Sequence, residues 1–432
     1  MPPPSRTEKP EPLSRVFSGA EQVYEIALKF GTPVYVYSQR LLENQVEKAL
    51  AFPNAYGLTV RCAMKANPNE NLIVIPNKKG VKIDASSGYE ALRAMSADIK
   101  PKDILLTSQI IPRNLKQLLE KGVEYTACSI HQLENYGRLF PGSDVSVRIN
   151  PGRGSGGTRK TNTGGPSSPF GIWNEELYQA LAIAEQYKLN IKRVHTHIGS
   201  GSDPEVWKKV AKLSLGIVGK VLDAGHNVSI LNLGGGYKVG RMSYEKSTDL
   251  QDCGEPVARA FERFAKRTKV PLRLEIEPGT FLFANSGAII ANVEDIKRTP
   301  KYNFVILNAG MTENPRPPLY AAQHPVAVVA VTRGRRKLIR QVYSGPTCES
   351  GDLQTPAKKN PEALGPRLTP EAKIGDLVVI SGAGAYCASM ANKNYNSYPE
   401  APEVLIDLED EPHLIRKRQT LDQIIQNERR VV

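Results

Sequence analysis

Cysteine is scarce in this 432-residue sequence, and long apolar runs are missing. The five cysteines are odd in number, widely spaced and without a Cys-x-x-Cys pair, which argues against a disulfide framework and a zinc ribbon. No apolar run reaches the roughly 20 residues that a membrane-spanning helix needs, and the polar, proline-rich start lacks the apolar core of a signal peptide. We therefore expect a soluble, cytoplasmic protein without a membrane partner, whose residues 1–20 form a disordered tail.

Aromatic residues are missing from the basic segments. The formal net charge is +13, but the basic residues are scattered, with small concentrations at Thr332–Arg340 and Ile415–Arg418 that contain no aromatic side chain. Binding of single-stranded nucleic acid combines basic grooves with aromatic stacking platforms. We therefore expect no nucleic-acid partner, while the charge stays compatible with anionic substrates or cofactors.

Short apolar runs followed by helical patterns fill the sequence from about residue 33 to 285. This alternation predicts βα units around a parallel sheet, and eight units match a (β/α)8 barrel of the TIM type. The predicted strands are Leu58–Lys65, Val81–Ala85, Asp103–Ser108, Val123–Cys128, Val145–Asn150, Lys192–Ile198, Ser229–Gly235 and Leu272–Gly279.

Beyond residue 285 the apolar residues alternate without helical periodicity, which predicts a β domain. We therefore expect an α/β fold with a barrel domain at 33–300 and a C-terminal β domain with a short helical tail at 301–432. Residues 21–40 are expected to pair with the later sheet.

The ends of seven of the eight predicted barrel strands carry a charged, polar or glycine residue. Barrel enzymes place their chemistry at the carboxyl ends of the strands. One or two such residues would be ordinary turn residues, but seven indicate a site. These residues are Lys65, Asp84, Ser108, Asn150, His197, Gly234–Gly236 and Glu277.

Several of these residues have complementary chemistry. Partial desolvation of Lys65 would lower the pKa of its amine and favour a Schiff base, although a lone lysine at a strand end is more often a solvated charge. The bare backbone of Gly234–Gly236 suits a phosphate, or simply a sharp turn. His195 and His197 lack a third metal ligand, so we expect no metal and interpret His197 as stacking on a ring. With Glu277 holding a ring nitrogen protonated, the set predicts a pyridoxal 5'-phosphate site.

These residues lie in segments that resemble the fold-type III pyridoxal phosphate decarboxylases, the alanine-racemase-like barrel group, and within it the diaminopimelate decarboxylase family. The matching segments run in order from about residue 33 to 407 and include AMKANPN, HTHIGSG, NLGGGY, PRPPLY, GPTCESGD and GAYCASM. The resemblance implies a carboxy-lyase that converts meso-2,6-diaminopimelate to L-lysine and CO2, the last step of lysine biosynthesis.

The resemblance also implies roles for single residues. The expected cofactor-binding residues are Lys65, Asp84, His197, Ser200, Gly234, Gly235, Gly236, Glu277 and Tyr386. The expected substrate-binding residues are Arg316, Tyr320, Glu349 and Tyr386. The expected catalytic residues are Lys65 and Cys348, with Cys348 as the proton donor after loss of CO2; an ordinary buried thiol is the alternative. Cys348 and Glu349 are expected to reach into a partner subunit's barrel, which implies a homodimer with shared active sites.

One position departs from the family pattern. The segment EPGR of the family reads EPGT here, so Thr280 replaces an arginine that serves the phosphate and the substrate carboxylate. Either Arg153 or Arg159 supplies the missing cation, or the substrate has a single carboxylate, as in D-lysine, D-ornithine, L-ornithine or arginine.

Two further alternatives come from other classes of protein. A racemase would share the lysine and the phosphate site but has no use for the Cys-Glu-Ser segment. A homologue without catalytic activity would be free to lose the catalytic residues, and all of them are present. The sequence therefore favours decarboxylation.

Overall fold

The computed structural model describes residues 9–154, 163–199, 204–332 and 334–431. In chain order the strands are β1 (Val34–Ser38), β2 (Leu58–Ala63), β3 (Lys82–Ala85), β4 (Ile104–Leu106), β5 (Glu124–Ala127), β6 (Asp144–Asn150), β7 (Ile172–Trp173), β8 (Asn190–His195), β9 (Ile230–Asn232), β10 (Arg273–Ile276), β11 (Gly287–Arg298), β12 (Asn303–Leu307), β13 (Val326–Val329), β14 (Leu338–Ser344), β15 (Pro356–Ala357), β16 (Asn360–Leu364), β17 (Arg367–Pro370), β18 (Leu377–Ser381), β19 (Glu403–Ile406) and β20 (Pro412–Arg416). The helices are α1 (Ala20–Phe30), α2 (Gln39–Leu50), α3 (Glu70–Lys78), α4 (Gly88–Ser96), α5 (Leu115–Glu120), α6 (Ile130–Leu139), α7 (Leu177–Gln186), α8 (Pro204–Asp223), α9 (Leu250–Thr268), α10 (Thr280–Phe283), α11 (Arg316–Tyr320) and α12 (Leu421–Ile425). None of these helices is both long and apolar enough to cross a membrane.

The chain divides into two compact units. We call Glu43–Val239 with Lys246–Leu282 the barrel unit, and Met1–Leu42 with Gly240–Glu245 and Phe283–Val432 the sheet unit. The barrel unit is shorter than the expected domain at 33–300, because β11 hydrogen-bonds to strands of the sheet unit. Residues 240–245 also group with the sheet unit, although the segments before and after them belong to the barrel unit.

The predicted (β/α)8 barrel is confirmed. Eight parallel strands pair in the closed order β2, β3, β4, β5, β6, β8, β9, β10 and back to β2. Each lies within one of the eight predicted runs or overlaps it by most of its length. The strands form because short β-branched and aliphatic runs, buried on both faces, suit a parallel sheet covered by helices.

Polar side chains fix where several barrel helices begin. The hydroxyl groups of Ser87 and Ser129 accept hydrogen bonds from backbone N–H groups in the first turns of α4 and α6. The carboxylate of Asp249 accepts two such bonds at the start of α9. Each of these caps satisfies backbone donors that have no partner within the helix. The helices therefore start at defined positions after the strands and loops that carry the site.

A buried ion-pair cluster fills part of the barrel interior. Arg61 of β2 and Arg193 of β8 lie 3.0 Å and 2.8 Å from the Glu275 carboxylate of β10, and both also contact Glu124 at the start of β5. These four strands are distributed around the barrel, so their side chains meet inside it. Glu124 is the first residue of its strand, which places the cluster toward the amino ends of the strands.

Replacing Glu275 with glutamine should destabilise the protein strongly. The change leaves Arg61 and Arg193 with only Glu124 as a counter-ion, and removal of one partner from a buried pair typically costs about 3–5 kcal/mol. Urea unfolding gives the free energy directly. The control is Glu255→Gln, which breaks an exposed pair with Arg259 on α9 and should cost less than about 0.5 kcal/mol. Equal losses in the two variants would contradict a stabilising role for the interior cluster.

The sheet unit is built around the long strand β11. Its first half pairs antiparallel with β1 and β18, and its second half pairs with β12 after an irregularity between Val293 and Asp295. Strand β1 also pairs in parallel with β19. One face of this sheet is covered by α1, whose Val23 and Ile26 pack in a fully buried cluster with Val34 and Ile290.

The expected disordered tail at 1–20 needs a correction within the described residues. Val16 and Phe17 are buried and belong to the same hydrophobic cluster as α1. Two adjacent apolar side chains after a polar segment are a weak signal, and only the pocket formed by the folded sheet unit explains their burial. Residues 1–8 lie outside the described part of the chain.

Candidate active site

Lys65 lies just beyond the carboxyl end of β2. The chain turns there into a short 3-10 helix, Met64–Ala66, whose two flanking side chains are buried and fix the direction of the turn. The Lys65 side chain is 48% exposed, and its Nζ lies 3.8 Å from the Oδ2 atom of Asp84 in β3. About half of the Lys65 side chain is therefore removed from solvent, and a buried carboxyl group lies beside its amine.

Glu277 follows β10 and is held by groups from two neighbouring strands. The Nδ2 atom of Asn232 donates to Oε1 at 2.7 Å, and the Nε2 atom of His195 lies 3.4 Å from Oε2. Burial alone would raise the pKa of Glu277, but His195 and then Lys65 outweigh burial and hold it well below its usual range. The site therefore contains a fixed negative charge.

Asp84 behaves differently from Glu277. Burial, and then the negative charge of Glu277, raise the pKa of Asp84 to about 7, although Lys65 opposes the shift. The Oδ1 atom of Asp84 is buried without a hydrogen-bond partner. Two carboxyl groups thus face the same end of the barrel with well-separated pKa values, and one of them retains an unused acceptor atom.

The glycine segment after β9 approaches its neighbours so closely that no side chain fits. A Cβ atom on Gly235 would lie 2.1 Å from the carbonyl oxygen of Glu277, and one on Gly234 would lie 2.4 Å from Nδ1 of His197. Gly234 also has a left-handed φ of +71°. The Oδ1 atom of Asn232 accepts a hydrogen bond from Gly234 N–H at 2.8 Å. The same asparagine therefore positions both the Glu277 carboxylate and the glycine loop.

His197 is held as a neutral ring. Burial lowers the pKa of His197 well below its usual value, and the positive charges of Arg148 and Lys65 lower it further. The backbone N–H of Gly235 donates to Nδ1 of His197 at 3.2 Å. An acceptor role for Nδ1 places the ring proton on Nε2.

Not every polar strand end belongs to this cluster. The hydroxyl of Ser108 donates to the carbonyl of Ile110 at 2.7 Å. The amide of Asn150 bonds to the backbone of Gly152 and Gly165. These two residues hold their own loops, as ordinary turn residues do. Ser200 and Arg159 lie outside the described residues.

Three barrel residues that act on the site were not predicted as site residues, although His195 had been considered as a metal ligand. Asn232 and His195 hold Glu277, and Arg148 shifts the pKa values of Asp84 and His197. Each occupies a strand that was predicted correctly. The available signal was the period of two: Asn232 lies two residues before Gly234, and His195 two before His197, so each shares a face with a residue already identified.

In the sheet unit, Arg316 and Tyr320 lie on the short helix α11. The Cζ atom of Arg316 lies 5.9 Å from the centre of the Tyr320 ring, and its Nε atom is buried without a hydrogen-bond partner. Tyr386 follows β18 with a left-handed φ of +58°. An arginine with an unused buried donor is suited to bind an anion, and the role of Arg316 as a carboxylate-binding residue stays a prediction.

Cys348 and Glu349 lie on an exposed loop after β14. The Oδ2 atom of the buried Asp352 accepts hydrogen bonds from the backbone N–H and the hydroxyl of Thr347, at 3.0 and 2.7 Å. The loop lines a groove of about 410 Å³, whose apolar side includes Phe304. Cys348 is exposed, so the alternative of a buried thiol is wrong.

Comparison with known proteins places the chain in a family. The profile of the pyridoxal-dependent decarboxylase family, pyridoxal binding domain, matches residues 42–284, more than half of the chain. Diaminopimelate decarboxylase of Escherichia coli (strain K12) is 34% identical over 415 residues, which cover 94% of this chain and 96% of that protein. The chain belongs to the diaminopimelate decarboxylase family.

Solved structures agree with this assignment to the diaminopimelate decarboxylases. A crystal structure of diaminopimelate decarboxylase superposes with a TM-score of 0.88 at 33% identity, covering 96% of this chain and 99% of the other. Diaminopimelate decarboxylase from Helicobacter pylori complexed with L-lysine gives a TM-score of 0.82 at 27% identity, covering 93% and 98%.

The cofactor of this decarboxylase family is pyridoxal 5'-phosphate, and the barrel residues fit it. The half-exposed Lys65 amine suits the aldehyde, and the glycine loop leaves bare backbone where a phosphate needs close approach. The fixed charge of Glu277 suits a protonated ring nitrogen, and Asp84 Oδ1 is a buried acceptor without a partner. The chemistry of the donor set therefore matches the group.

Replacing Gly235 with alanine should weaken binding of pyridoxal phosphate. The new Cβ would meet the Glu277 carbonyl oxygen at 2.1 Å, so the backbone of the loop must move. Overpacking of this kind predicts an affinity loss of roughly tenfold to a hundredfold. Absorbance titration of the apoprotein measures it. Gly216→Ala, on α8 with open space around it, is the matched control and should leave the affinity unchanged. If Gly235→Ala binds pyridoxal phosphate with wild-type affinity, the glycine loop does not form the phosphate site.

Proposed function

We propose that the chain catalyses the pyridoxal phosphate-dependent decarboxylation of meso-2,6-diaminopimelate to L-lysine and CO2. The observation that carries this proposal is the convergence of Lys65, Asp84, His197 and Glu277 with the glycine loop at one end of the barrel. The names of the relatives, and the L-lysine complex of one of them, support the substrate. Five free cysteines are consistent with a reducing, cytoplasmic location, which we also propose.

Each barrel residue of the site has its own role in binding the cofactor. When bound, pyridoxal phosphate supplies an electron sink for the pair of electrons that the departing carboxylate leaves behind. In this proposal Lys65 binds the aldehyde covalently, His197 lies against the ring, and Gly234–Gly236 with Ser200 bind the phosphate. The Glu277 carboxylate keeps a proton on the ring nitrogen, because its own pKa is far too low for it to take that proton.

The sheet-unit residues act on the substrate in the same proposal. Arg316, Tyr320 and Tyr386 bind substrate, Arg316 through a carboxylate, and Glu349 holds the distal ammonium group. After the bond to the carboxylate breaks and CO2 leaves, the thiol of Cys348 gives its proton to the carbon that kept the electron pair. The exposed loop at Cys348 and Glu349 is suited to reaching a second subunit, so we propose a homodimer with shared active sites.

Carbon dioxide release by the purified protein tests the activity. With pyridoxal phosphate present, we offer meso-diaminopimelate, D-lysine, D-ornithine, L-ornithine and L-arginine in parallel. We expect a clear preference for meso-diaminopimelate, and no release from any of them in Lys65→Ala, whose absorption should also lose the band of covalently bound cofactor. Preference for a monocarboxylic amino acid would mean that the arginine missing at Thr280 is not replaced and that the site does not require a second carboxylate. Absence of release from all five would overturn the proposed function.

Replacing Cys348 with alanine should slow turnover without loss of the cofactor. A positioned general acid typically contributes about 10²- to 10⁴-fold to a rate, so kcat should fall by at least about 10²-fold. Steady-state assays measure kcat, and the cofactor band should keep its wild-type intensity. Ser350→Ala removes an exposed polar group from the same loop and should leave kcat within about twofold. Undiminished turnover in Cys348→Ala would remove its role as proton donor.

A further inference from the structure

Arg241 has a half-buried guanidinium group that none of the roles above uses. It lies in the segment Gly240–Glu245, which packs with the sheet unit. Its Nε atom donates to the carbonyl oxygen of Gly382 at 2.9 Å, while its Nη2 atom is buried without a hydrogen-bond partner. Gly382 has a left-handed φ of +68°, and a Cβ atom there would lie 2.8 Å from Cγ of Arg241. The backbone therefore makes room for this side chain and fixes its direction.

The neighbours of Arg241 are also basic. Burial, and then the positive charge of Arg316, lower the pKa of Arg241 to about 9. The Nδ1 atom of His324 contacts the carbonyl oxygen of Ser381 at 2.9 Å, and its Nε2 atom is buried without a partner. Burial, Arg241 and Arg316 hold the pKa of His324 well below its usual value. Nδ1 of the neutral His324 therefore carries the ring proton, and its Nε2 atom is an unused acceptor. Arg241 and Arg316 each retain a buried donor without a partner, and each lowers the pKa of His324.

The carboxylate of Glu245, which acts electrostatically on Arg241, does not pair with this cluster. The Oε2 atom of Glu245 accepts hydrogen bonds from the backbone N–H groups of Arg241 and Met242, at 2.9 and 3.3 Å. Across the described ranges, neither Arg241 nor Arg316 forms an ion pair with a carboxylate. Buried charges in proteins are normally paired, because an unpaired one loses its hydration without compensation. The cluster therefore lacks an anion, and its chemistry suits a carboxylate or a phosphate.

We propose that Arg241 acts with Arg316 to bind the substrate carboxylate that is retained in the product. This proposal rests on the proposed decarboxylation. The leaving carboxylate loses its charge as it becomes CO2, so cations placed on it would stabilise the ground state more than the transition state and slow the reaction. The retained carboxylate keeps its charge throughout, and two guanidinium groups can bind it without that penalty.

Arg241 also provides a replacement for the cation that is missing at Thr280. The family's arginine is missing at that position, and Arg153, one of the two expected substitutes, is an exposed residue. Arg241 supplies a half-buried cation, with a buried and unpartnered Nη2 atom, from a different segment of the chain. A dicarboxylate therefore remains the matching substrate, and Arg241 determines the specificity for it.

Ligand binding to Arg241→Met tests the proposal. L-lysine contains the retained carboxylate, and 1,5-diaminopentane is the same molecule without it, so the pair isolates that group. We measure both dissociation constants from changes in cofactor absorbance in the holoenzyme. Loss of a charge-assisted hydrogen bond predicts an L-lysine affinity about 10- to 100-fold weaker. The affinity for 1,5-diaminopentane should stay within about twofold, and KM for meso-diaminopimelate should rise more than kcat falls.

Two further variants keep the result interpretable. Arg241→Lys keeps the charge but loses the planar fork, so it should lose less L-lysine affinity than Arg241→Met. Arg418→Met is the matched control, because Arg418 also donates to a backbone carbonyl in the sheet unit, that of Pro33 at 2.9 Å, and it should bind both ligands normally. Thermal midpoints show whether each variant is folded.

Other outcomes would overturn the proposal. If Arg241→Met loses affinity for L-lysine and for 1,5-diaminopentane by the same factor, Arg241 does not bind the retained carboxylate. If Arg241→Met loses affinity for pyridoxal phosphate but binds L-lysine and 1,5-diaminopentane normally, Arg241 binds the phosphate of the cofactor instead. If the wild-type chain releases no CO2, the proposed function fails, but the two dissociation constants still decide whether Arg241 binds the carboxylate.

Discussion

The buried Glu277 carboxylate is negatively charged, and the arrangement of the site at the carboxyl ends of the barrel strands, the barrel mouth, depends on that charge. Asn232 donates to it, His195 lies beside it, and its charge raises the pKa of Asp84. The same Asn232 amide also lies 3.3 Å from Glu275, which is paired with the interior arginines. Polar contacts thus continue from the ion pairs inside the barrel to the site, and a shift in the interior cluster would displace the carboxylate at the mouth.

A buried carboxylate has a similar organising role in the sheet unit. Asp352 accepts hydrogen bonds from the backbone N–H groups of Met311 and Thr347, and so joins two separate loops. A Cβ atom on Gly310 would lie 2.2 Å from one of its oxygens, and a Cβ atom on Gly345 would lie 2.3 Å from the other. Glycine is therefore required at both positions, and the loop with Cys348 is fixed through its base while its tip stays exposed.

The sequence was most informative where local pattern and tertiary structure coincide. The barrel strands are short apolar runs, and seven of the eight predicted runs end in a charged, polar or glycine residue. Both the strands and the cluster around Lys65 and Glu277 could therefore be predicted. Strands β16 and β20 could not be predicted in this way, because they contain no fully buried residue and have no alternating apolar pattern. Val16 and Arg241 could not be found this way, since their burial depends on residues distant in the chain.

Some arginines inside this protein are paired with carboxylates and others are not. The paired ones stabilise the fold, and the unpaired ones are suited to bind a ligand. Arg61 and Arg193 each contact two carboxylates, so their charges are compensated before any ligand binds. Arg241 and Arg316, in contrast, form no ion pair with a carboxylate among the described residues, and each has a buried nitrogen without a hydrogen bond. The acceptor Oδ1 of Asp84 is also buried without a partner. Such groups reduce the stability of the free protein. An unpaired buried group keeps its direction only if the fold fixes it, as Gly382 does for Arg241. A ligand that pairs with these groups therefore gains affinity without first having to order them.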